Sequence, residues 1–349
     1  MKNIFEFSKE KLEEDLAKKN ISKYRSHQIF DWIYKKNVSD FEEMKNISKK
    51  DIEVLKGEYN FQKLNLIKVK ESIDGTKKFL FKLDDGNYIE TVLMSFNYGK
   101  SVCVSTQVGC DMGCSFCASG KDKKVRNLTI SEMVLQVLQV KNTLLEDENL
   151  TNIVIMGIGE PFDNYDNVID FIKIVNDSKG INIGARHITV STCGIVPKIL
   201  EFADLSLQVN LAISLHFANN EKRSKYMKIN KAYNLEKLID ALKIYFDKTK
   251  RRITFEYLLI KDVNDSIEDA KELVTLIKGL NAYVNLIPYN DTQMFKRSTK
   301  EAQNKFYDYL MKNKINVTLR REQGLDISAA CGQLRMKKMR DDYEKRLDN

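Results

Sequence analysis

The sequence predicts an α/β fold built around a parallel sheet, and three observations carry that prediction. From about residue 97 onward, short apolar runs alternate with longer stretches of helical periodicity. Six of the runs have strand length: "SVCVSTQV" (101–108), "NIVIMGIG" (152–159), "HITVST" (187–192), "VNLAISLH" (209–216), "RITFEYLLI" (252–260) and "AYVNLIPY" (282–289). The three prolines of the chain, Pro161, Pro197 and Pro288, fall at or just after strand ends, as breakers should. Strands separated by helices form βαβ units and hence a parallel sheet. Spacing alone leaves open whether that sheet is a doubly wound layer or a partial barrel.

The elements follow in order. Residues 8–60 read as short helices, with Ser39–Glu42 and Ser48–Asp51 fitting the S-x-x-[DE] start pattern. "YRSHQIFDWIYKK" (Tyr24–Lys36) places Ile29, Phe30, Trp32 and Ile33 in the core of a small helical domain. Arg25, Lys35 and Lys36 then form its solvated or RNA-facing side. Residues 63–96 alternate like a hairpin, turning at Asp84–Asn87 between "KKFLFKL" and "YIETVLM". Within the α/β region, Thr129-Ile-Ser-Glu132 opens a helix over 130–145, with Met133, Val134, Val137, Leu138, Leu144 and Leu145 on its apolar side. The resulting division is 1–62 helical, 63–96 hairpin, 97–334 α/β core and 335–349 charged tail.

Composition narrows the class. The chain of 349 residues is 43% hydrophobic, enough for a large core, and no run approaches the ~20 apolar residues of a membrane span. Its N-terminus is charged at once and does not read as a secretory signal. A cytoplasmic protein is expected, where clustered cysteines point to metal or catalysis rather than structural disulfides. The net charge of +8 suits a polyanionic partner or a soluble lysine-rich surface.

Three of the six cysteines, Cys110, Cys114 and Cys117, lie within eight residues, spaced C-x₃-C-x₂-C. Structural zinc usually takes four ligands, and a thioredoxin-type pair needs only C-x-x-C. Iron–sulfur clusters are normally held by four thiolates, so three leave one iron open to a substrate. The loop also follows the first strand, at the edge where parallel α/β folds place their catalytic groups.

With Phe116 before its last cysteine, this spacing resembles the signature of radical S-adenosylmethionine (SAM) enzymes. In that superfamily the open iron of a [4Fe–4S] cluster binds SAM and yields a 5′-deoxyadenosyl radical, and the fold is a partial (β/α)₆ barrel. Longer stretches, "CVSTQVGCDMGCSFCASG", "RNLTISEM", "MGIGEPFDN", "VSTCGIVPKI", "NLAISLH", "ITFEYLLIKDVNDS" and "DISAACGQL", are similar to the RlmN family, from about residue 21 to 334. Ile158 and Lys228 depart from that family's usual methionine and proline, which bears on packing.

That resemblance implies methylation of adenine C2 in 23S rRNA, at the peptidyl transferase centre, and in certain tRNAs. Adenine C2 is electron-poor and is no nucleophile, so direct methyl transfer from SAM fails there and a radical route is sensible. Cys331, in "AACGQL", would carry the methyl group from one SAM, and a second SAM would generate the radical. Glu90 would accept the C2 proton. Cys103 would resolve the protein–RNA link through a transient disulfide with Cys331; its alternation with Val102 and Val104 turns it inward. Cys193 matches no catalytic cysteine and reads as packing. For SAM, the matching positions are Gly159 and Glu160, Ser191, Ser214, Leu215 and His216, and Asn290. The glycines of Gly157-Ile-Gly159-Glu160 read as permitting close backbone approach to a ligand.

The resemblance also implies an electron donor such as flavodoxin or ferredoxin, and a monomer away from membranes. The nearest alternative is the Cfr family, which methylates C8 of the same rRNA adenine; Pro161 after Gly159-Glu160 and the N-terminal "YRSHQIFDWIY" favour RlmN. A noncatalytic iron–sulfur RNA-binding protein is disfavoured because it has no use for Cys103 and Cys331.

Overall fold

The computed structural model describes residues 1–121, 123–291, 294–320, 323–324 and 326–327. Three helices come first: α1 (Lys9–Ala17), α2 (Lys23–Tyr34) and α3 (Lys49–Glu58). Ser8, Ser22 and Ser48 cap them, each hydroxyl accepting from the backbone N–H three residues on. The other expected start shifts by one residue: Asp40, not Ser39, is the cap, and it opens only the 3₁₀ turn Phe41–Glu43. Ile29, Phe30 and Ile33 are buried, whereas Trp32 is only half-buried.

Ten strands share one sheet in strict sequence order: β1 (Asn65–Glu71), β2 (Lys77–Lys82), β3 (Tyr88–Phe96), β4 (Gly99–Cys103), β5 (Leu150–Ile155), β6 (Ile188–Thr192), β7 (Asn210–Ser214), β8 (Ile253–Leu259), β9 (Ala282–Pro288) and β10 (Asn316–Leu319). The first three pairings are antiparallel and the remaining six parallel. The turn between β2 and β3 falls where the sequence places it, but the hairpin is no separate ribbon, because β3 pairs directly with β4. Strand β10 was not expected: "NVTL" is four residues long with only Val317 buried, too little pattern to read.

Helices α4 (Ile130–Lys141), α5 (Tyr165–Asn176), α6 (Val196–Ala203), α8 (Leu235–Thr249), α9 (Ile267–Leu276) and α10 (Lys300–Lys312) bury their apolar faces against one side of the sheet. The short α7 (Asn220–Tyr226) lies between α6 and α8 in the chain. Strand alternation divides the residues: Val102, Val104, Ile153, Ile155, Leu211 and Ile213 join that core. Residues of the opposite set, from β3 through β9 together with Arg320 after β10, all line one cavity. A single cavity bounded by so many consecutive strands requires the sheet to curl, so it is a partial barrel and not a doubly wound layer. Helix α4 begins with the expected reciprocal cap, Glu132 N–H to Thr129 Oγ1 at 3.3 Å and Thr129 N–H to Glu132 Oε2 at 3.0 Å. It ends at Lys141, earlier than its periodicity suggests, and Leu145 is 68% exposed.

Parallel pairing sends the C-terminal ends of β4 to β9 to one rim. Among the described residues, no helix is long and apolar enough to cross a membrane.

Candidate active site

The loop carrying the cysteines springs from that rim. A two-stranded ribbon, Gln107–Val108 against Arg126–Asn127, closes its base. Gln136 of α4 fastens the chain just after β4: its side chain accepts from Ser105 N–H at 2.8 Å and donates to the Ser105 carbonyl at 3.0 Å. Ser105 Oγ in turn donates to the Glu90 carbonyl at 2.6 Å and accepts from Ile158 N–H at 3.1 Å. One buried serine thus ties together β3, β4 and the glycine loop after β5.

Cys110, Cys114 and Cys117 face a cavity of about 440 Å³, within the range that holds a cofactor-sized ligand. Glu90, Cys103, Gly159, Glu160, Ser191, Ser214, His216 and Asn290 line the same cavity. Of the described residues singled out in the sequence, only Leu215 stands apart, its side chain wholly buried in the apolar core. Cys331 and the tail lie outside the described residues.

Gly157 and Gly159 line the same cavity, and they also let two loops meet. A Cβ on Gly157 would lie 2.6 Å from the Val104 carbonyl oxygen, and one on Gly159 would lie 2.7 Å from the Gln107 side chain. Their smallness lets the loops after β4 and β5 touch, and Gly159 also takes φ +113°. Glu160 pins the next loop: its carboxylate accepts from Phe162 N–H at 3.0 Å and Cys193 N–H at 2.8 Å. Burial raises its pKa, against the pull of those N–H bonds. Ser191 Oγ and Ser214 Oγ are hydrogen-bonded at 3.1 Å.

His216 has left-handed backbone, φ 56°, and is buried. Burial first, then the Arg223 charge, push its pKa down to about 3. Its ring is therefore neutral, and Nδ1 accepts from Leu258 N–H at 3.2 Å. That bond assigns the ring proton to Nε2, leaving a donor for a ligand. Arg223, fully buried, donates to the carbonyls of Cys193 at 2.6 Å and Leu215 at 3.3 Å and to Asn230 Oδ1 at 2.9 Å. It thereby clamps the loops after β6 and β7.

Burial pushes the Cys110 thiol up to about 12, with Glu160 and Cys117 adding to the effect. Cys114 also goes up, through burial and then the neighbouring Cys117 and Cys110. Buried thiols that resist ionisation so strongly become thiolates when a metal repays the charge. Among the described residues, no three His, Cys, Asp or Glu side chains converge to hold a single metal ion. Three thiols facing one cavity would leave one iron of a cubane without a protein ligand. The donor set fits a [4Fe–4S] cluster. Lys228, one of the departures noted above, lies against Gly113 of this loop.

Glu90 is not the solvent-facing carboxylate that strand position alone would suggest. It is 3% exposed and forms an ion pair at 2.9 Å with Lys78, which is 0% exposed. Lys78 sits opposite Val92, so the pair is diagonal across β2 and β3. Cys103 lies opposite Val92 from the other side, on β4. Cys193 packs with Phe116, Phe217 and Met227 and lines the cavity with Phe116 and Met227. The five described cysteines are free thiols. Sequence reasoning missed Lys78, Arg223, Glu256 and Arg320, of which the last two line the cavity. Glu256 was visible only as a single charge inside an apolar strand run, and Lys78 only as the second of two lysines opening one.

The comparisons with known proteins agree with this geometry. Residues 104–274 match the radical SAM superfamily, and residues 2–59 match the ribosomal RNA large subunit methyltransferase N-terminal domain. A crystal structure of a radical SAM methyltransferase from Sphaerobacter thermophilus superposes with a TM-score of 0.89 at 43% identity, covering 95% of this chain and 99% of that one. The fold and site are those of a radical SAM methyltransferase. A Spiroplasma citri protein named "Probable dual-specificity RNA methyltransferase RlmN" is 57% identical over 97% of this chain and 98% of its own length. A Malacoplasma penetrans protein of the same name is 53% identical, over 97% of each chain. The chain belongs to the RlmN family.

Two predictions follow from the buried charges. Lys78→Met leaves the Glu90 carboxylate buried without its counter-charge and is expected to cost about 3–5 kcal/mol in urea unfolding. Adding Glu90→Leu should recover most of that loss; a double variant no more stable than Lys78→Met would deny the pair's importance. For Cys103, burial pushes the thiol up to about 11, against the opposing Arg320 charge. Its thiolate is therefore scarce near neutrality and grows as pH rises toward that value. In cluster-free protein, iodoacetamide should modify Cys103 slowly at about pH 7.5, the rate climbing roughly tenfold per pH unit. Fast, pH-independent labelling by mass spectrometry would contradict the burial.

Proposed function

We propose that this protein methylates C2 of adenosine 2503 in 23S rRNA and of adenosine 37 in certain tRNAs, through a methylated Cys331 and two molecules of SAM. The observation that carries this reading is the single cavity shared by the three clustered cysteines, Cys103, Glu90 and the polar residues at the ends of β5, β6, β7 and β9. An iron–sulfur protein that only bound RNA would have no need to face a carboxylate and a fourth thiol toward its cluster.

When bound by Cys110, Cys114 and Cys117, the [4Fe–4S] cluster with SAM supplies the 5′-deoxyadenosyl radical. Around it, Glu160, Ser191, Ser214, His216, Gly159 and Asn290 form the SAM cradle, with His216 offering Nε2–H. Leu215 contributes through its backbone position alone. Cys331 holds the methyl carbon that becomes joined to C2. Its approach is supported by the nearest described residues. Gly324 N–H donates to Asp74 at 2.7 Å, Asp326 binds Ser72, and Gln323 lines the cavity. These contacts fix the chain to the turn between β1 and β2, at the cavity's edge.

The C2 hydrogen leaves as a proton to Glu90, its carboxylate held in place by Lys78, and the remaining electron would pass back to the cluster. Cys103 then attacks the sulfur of Cys331: the S–S bond forms, the S–CH₂ bond breaks, and the methylene carbon keeps the electron pair and gains a proton. The helical residues 1–62, with exposed Lys35 and Lys36, face the RNA, as can the charged tail 335–349; Arg25 is partly engaged, donating to the Asn46 carbonyl at 2.6 Å. Residues 63–96 bring Glu90 to the core, 97–334. The enzyme works as a cytoplasmic monomer supplied with electrons by a flavodoxin or ferredoxin.

The test is Cys103→Ala. It should still methylate Cys331 and still attack adenine, then stall. A covalent protein–RNA adduct should accumulate, surviving denaturation and vanishing with nuclease. Multiple turnovers without any adduct would return Cys103 to a packing role.

A further inference from the structure

Glu256 is a charge in the middle of strand β8, 4% exposed, and it belongs to the cavity wall. Its neighbours are set by register: Ser214 stands opposite on β7, and Asn285 on β9. Asn285 Nδ2 donates to Glu256 Oε1 at 2.9 Å. The other oxygen, Oε2, is buried and has no hydrogen-bond partner among the described residues. Leaving one lone-pair-rich oxygen of a buried carboxyl unused costs free energy that a packed apolar side chain would not. Burial raises the pKa of this carboxyl, and the Arg320 charge opposes the rise. Arg320 also acts on Cys103. Glu256 therefore stands beside Ser214, in the proposed SAM cradle, on the wall of the cavity that Glu90 and Cys103 also line.

We infer that Glu256 is a nucleoside-recognition residue: Oε2 accepts a hydrogen bond from an N–H or O–H donor of a nucleoside in the cavity. The inference rests on the proposed function for its ligands. Two sources carry such donors, the sugar hydroxyls of SAM and the exocyclic amine of the target adenine. The vacant acceptor is common to both. No apolar group satisfies it, and a second acceptor there would be repelled.

The test uses cluster-reconstituted protein under anaerobic conditions and reads binding, not turnover. Glu256→Gln keeps the size and an acceptor for Asn285 but puts an N–H₂ where Oε2 was. It should fold with undiminished thermal stability, because a buried charge is removed. Affinity should fall roughly ten- to hundredfold for one ligand, the scale of a hydrogen bond to a charged group. Loss confined to SAM assigns the donor to the SAM sugar; loss confined to an rRNA fragment assigns it to the target base. The ligand side closes the cycle on wild-type protein, with SAM analogues lacking a ribose hydroxyl and RNA carrying purine in place of the target adenine. The cognate analogue should bind wild type as weakly as its parent binds Glu256→Gln, and the two losses should not add. Unchanged affinity for both ligands, or fully additive losses, would overturn the assignment. Should Glu256→Gln not fold, Glu256→Asp, which withdraws the carboxylate by one methylene, takes its place in the same cycle. An enzyme that binds both ligands normally but makes no product would contradict the proposed function and leave this outcome readable.

Discussion

Parallel strand order is the constraint on which the rest of the molecule depends. Because β4 to β9 run the same way, every loop that leaves their C-terminal ends arrives at one rim. Those loops would carry unpaired backbone carbonyls into a dry region, and Arg223 meets that need. A single fully buried guanidinium bonds the carbonyls of Cys193 and Leu215 and draws in Asn230. Gln136 and Ser105 do the same on the other side of the rim, at the start of the cysteine loop. The loops of the site are bonded to one another.

The same interior is electrostatically expensive. Lys78 with Glu90, Glu160, Glu256, Arg223 and three thiols all lie in or beside one cavity. Natural cores rarely bury so many ionisable groups unless they are paired or bind a ligand. Here the pairing is partial. Glu160 is satisfied by backbone N–H groups and Glu90 by Lys78, while Glu256 keeps an idle oxygen and burial holds the Cys110 and Cys114 thiols against ionisation. The groups left incompletely satisfied are the ones a cluster, a cosubstrate or a nucleotide would complete. Stability has been given up where binding needs it.

Much of this was legible in the sequence, for physical reasons. Long apolar strands buried between helices and a cavity leave continuous hydrophobic runs, so all six expected strands were found to within a few residues. The cysteine cluster and the capping box at Thr129 are local patterns that need no tertiary context. Strand β10 escaped because an edge strand of four residues with one buried side chain has no period to detect. Leu145 was assigned to a helix face because periodicity does not announce where a helix ends. The glycines after β5 line the cavity and also let the loop after β4 approach, a contact between segments some fifty residues apart that only the fold brings together. Glu256 looked like an interruption of an apolar strand, and Lys78 like one of two solvated lysines at a strand's start. Which face a charge occupies depends on register, and register is a property of pairs of strands.

The central claim is that these residues converge to place a methyl group on one carbon of adenine. The most direct measurement is anaerobic incubation of the cluster-loaded protein with SAM, a reductant and a 23S rRNA fragment, followed by mass spectrometry of the digested nucleosides. The account predicts 2-methyladenosine together with 5′-deoxyadenosine. Methylation at C8, or RNA recovered unmodified while the protein holds its cluster and SAM, would contradict it.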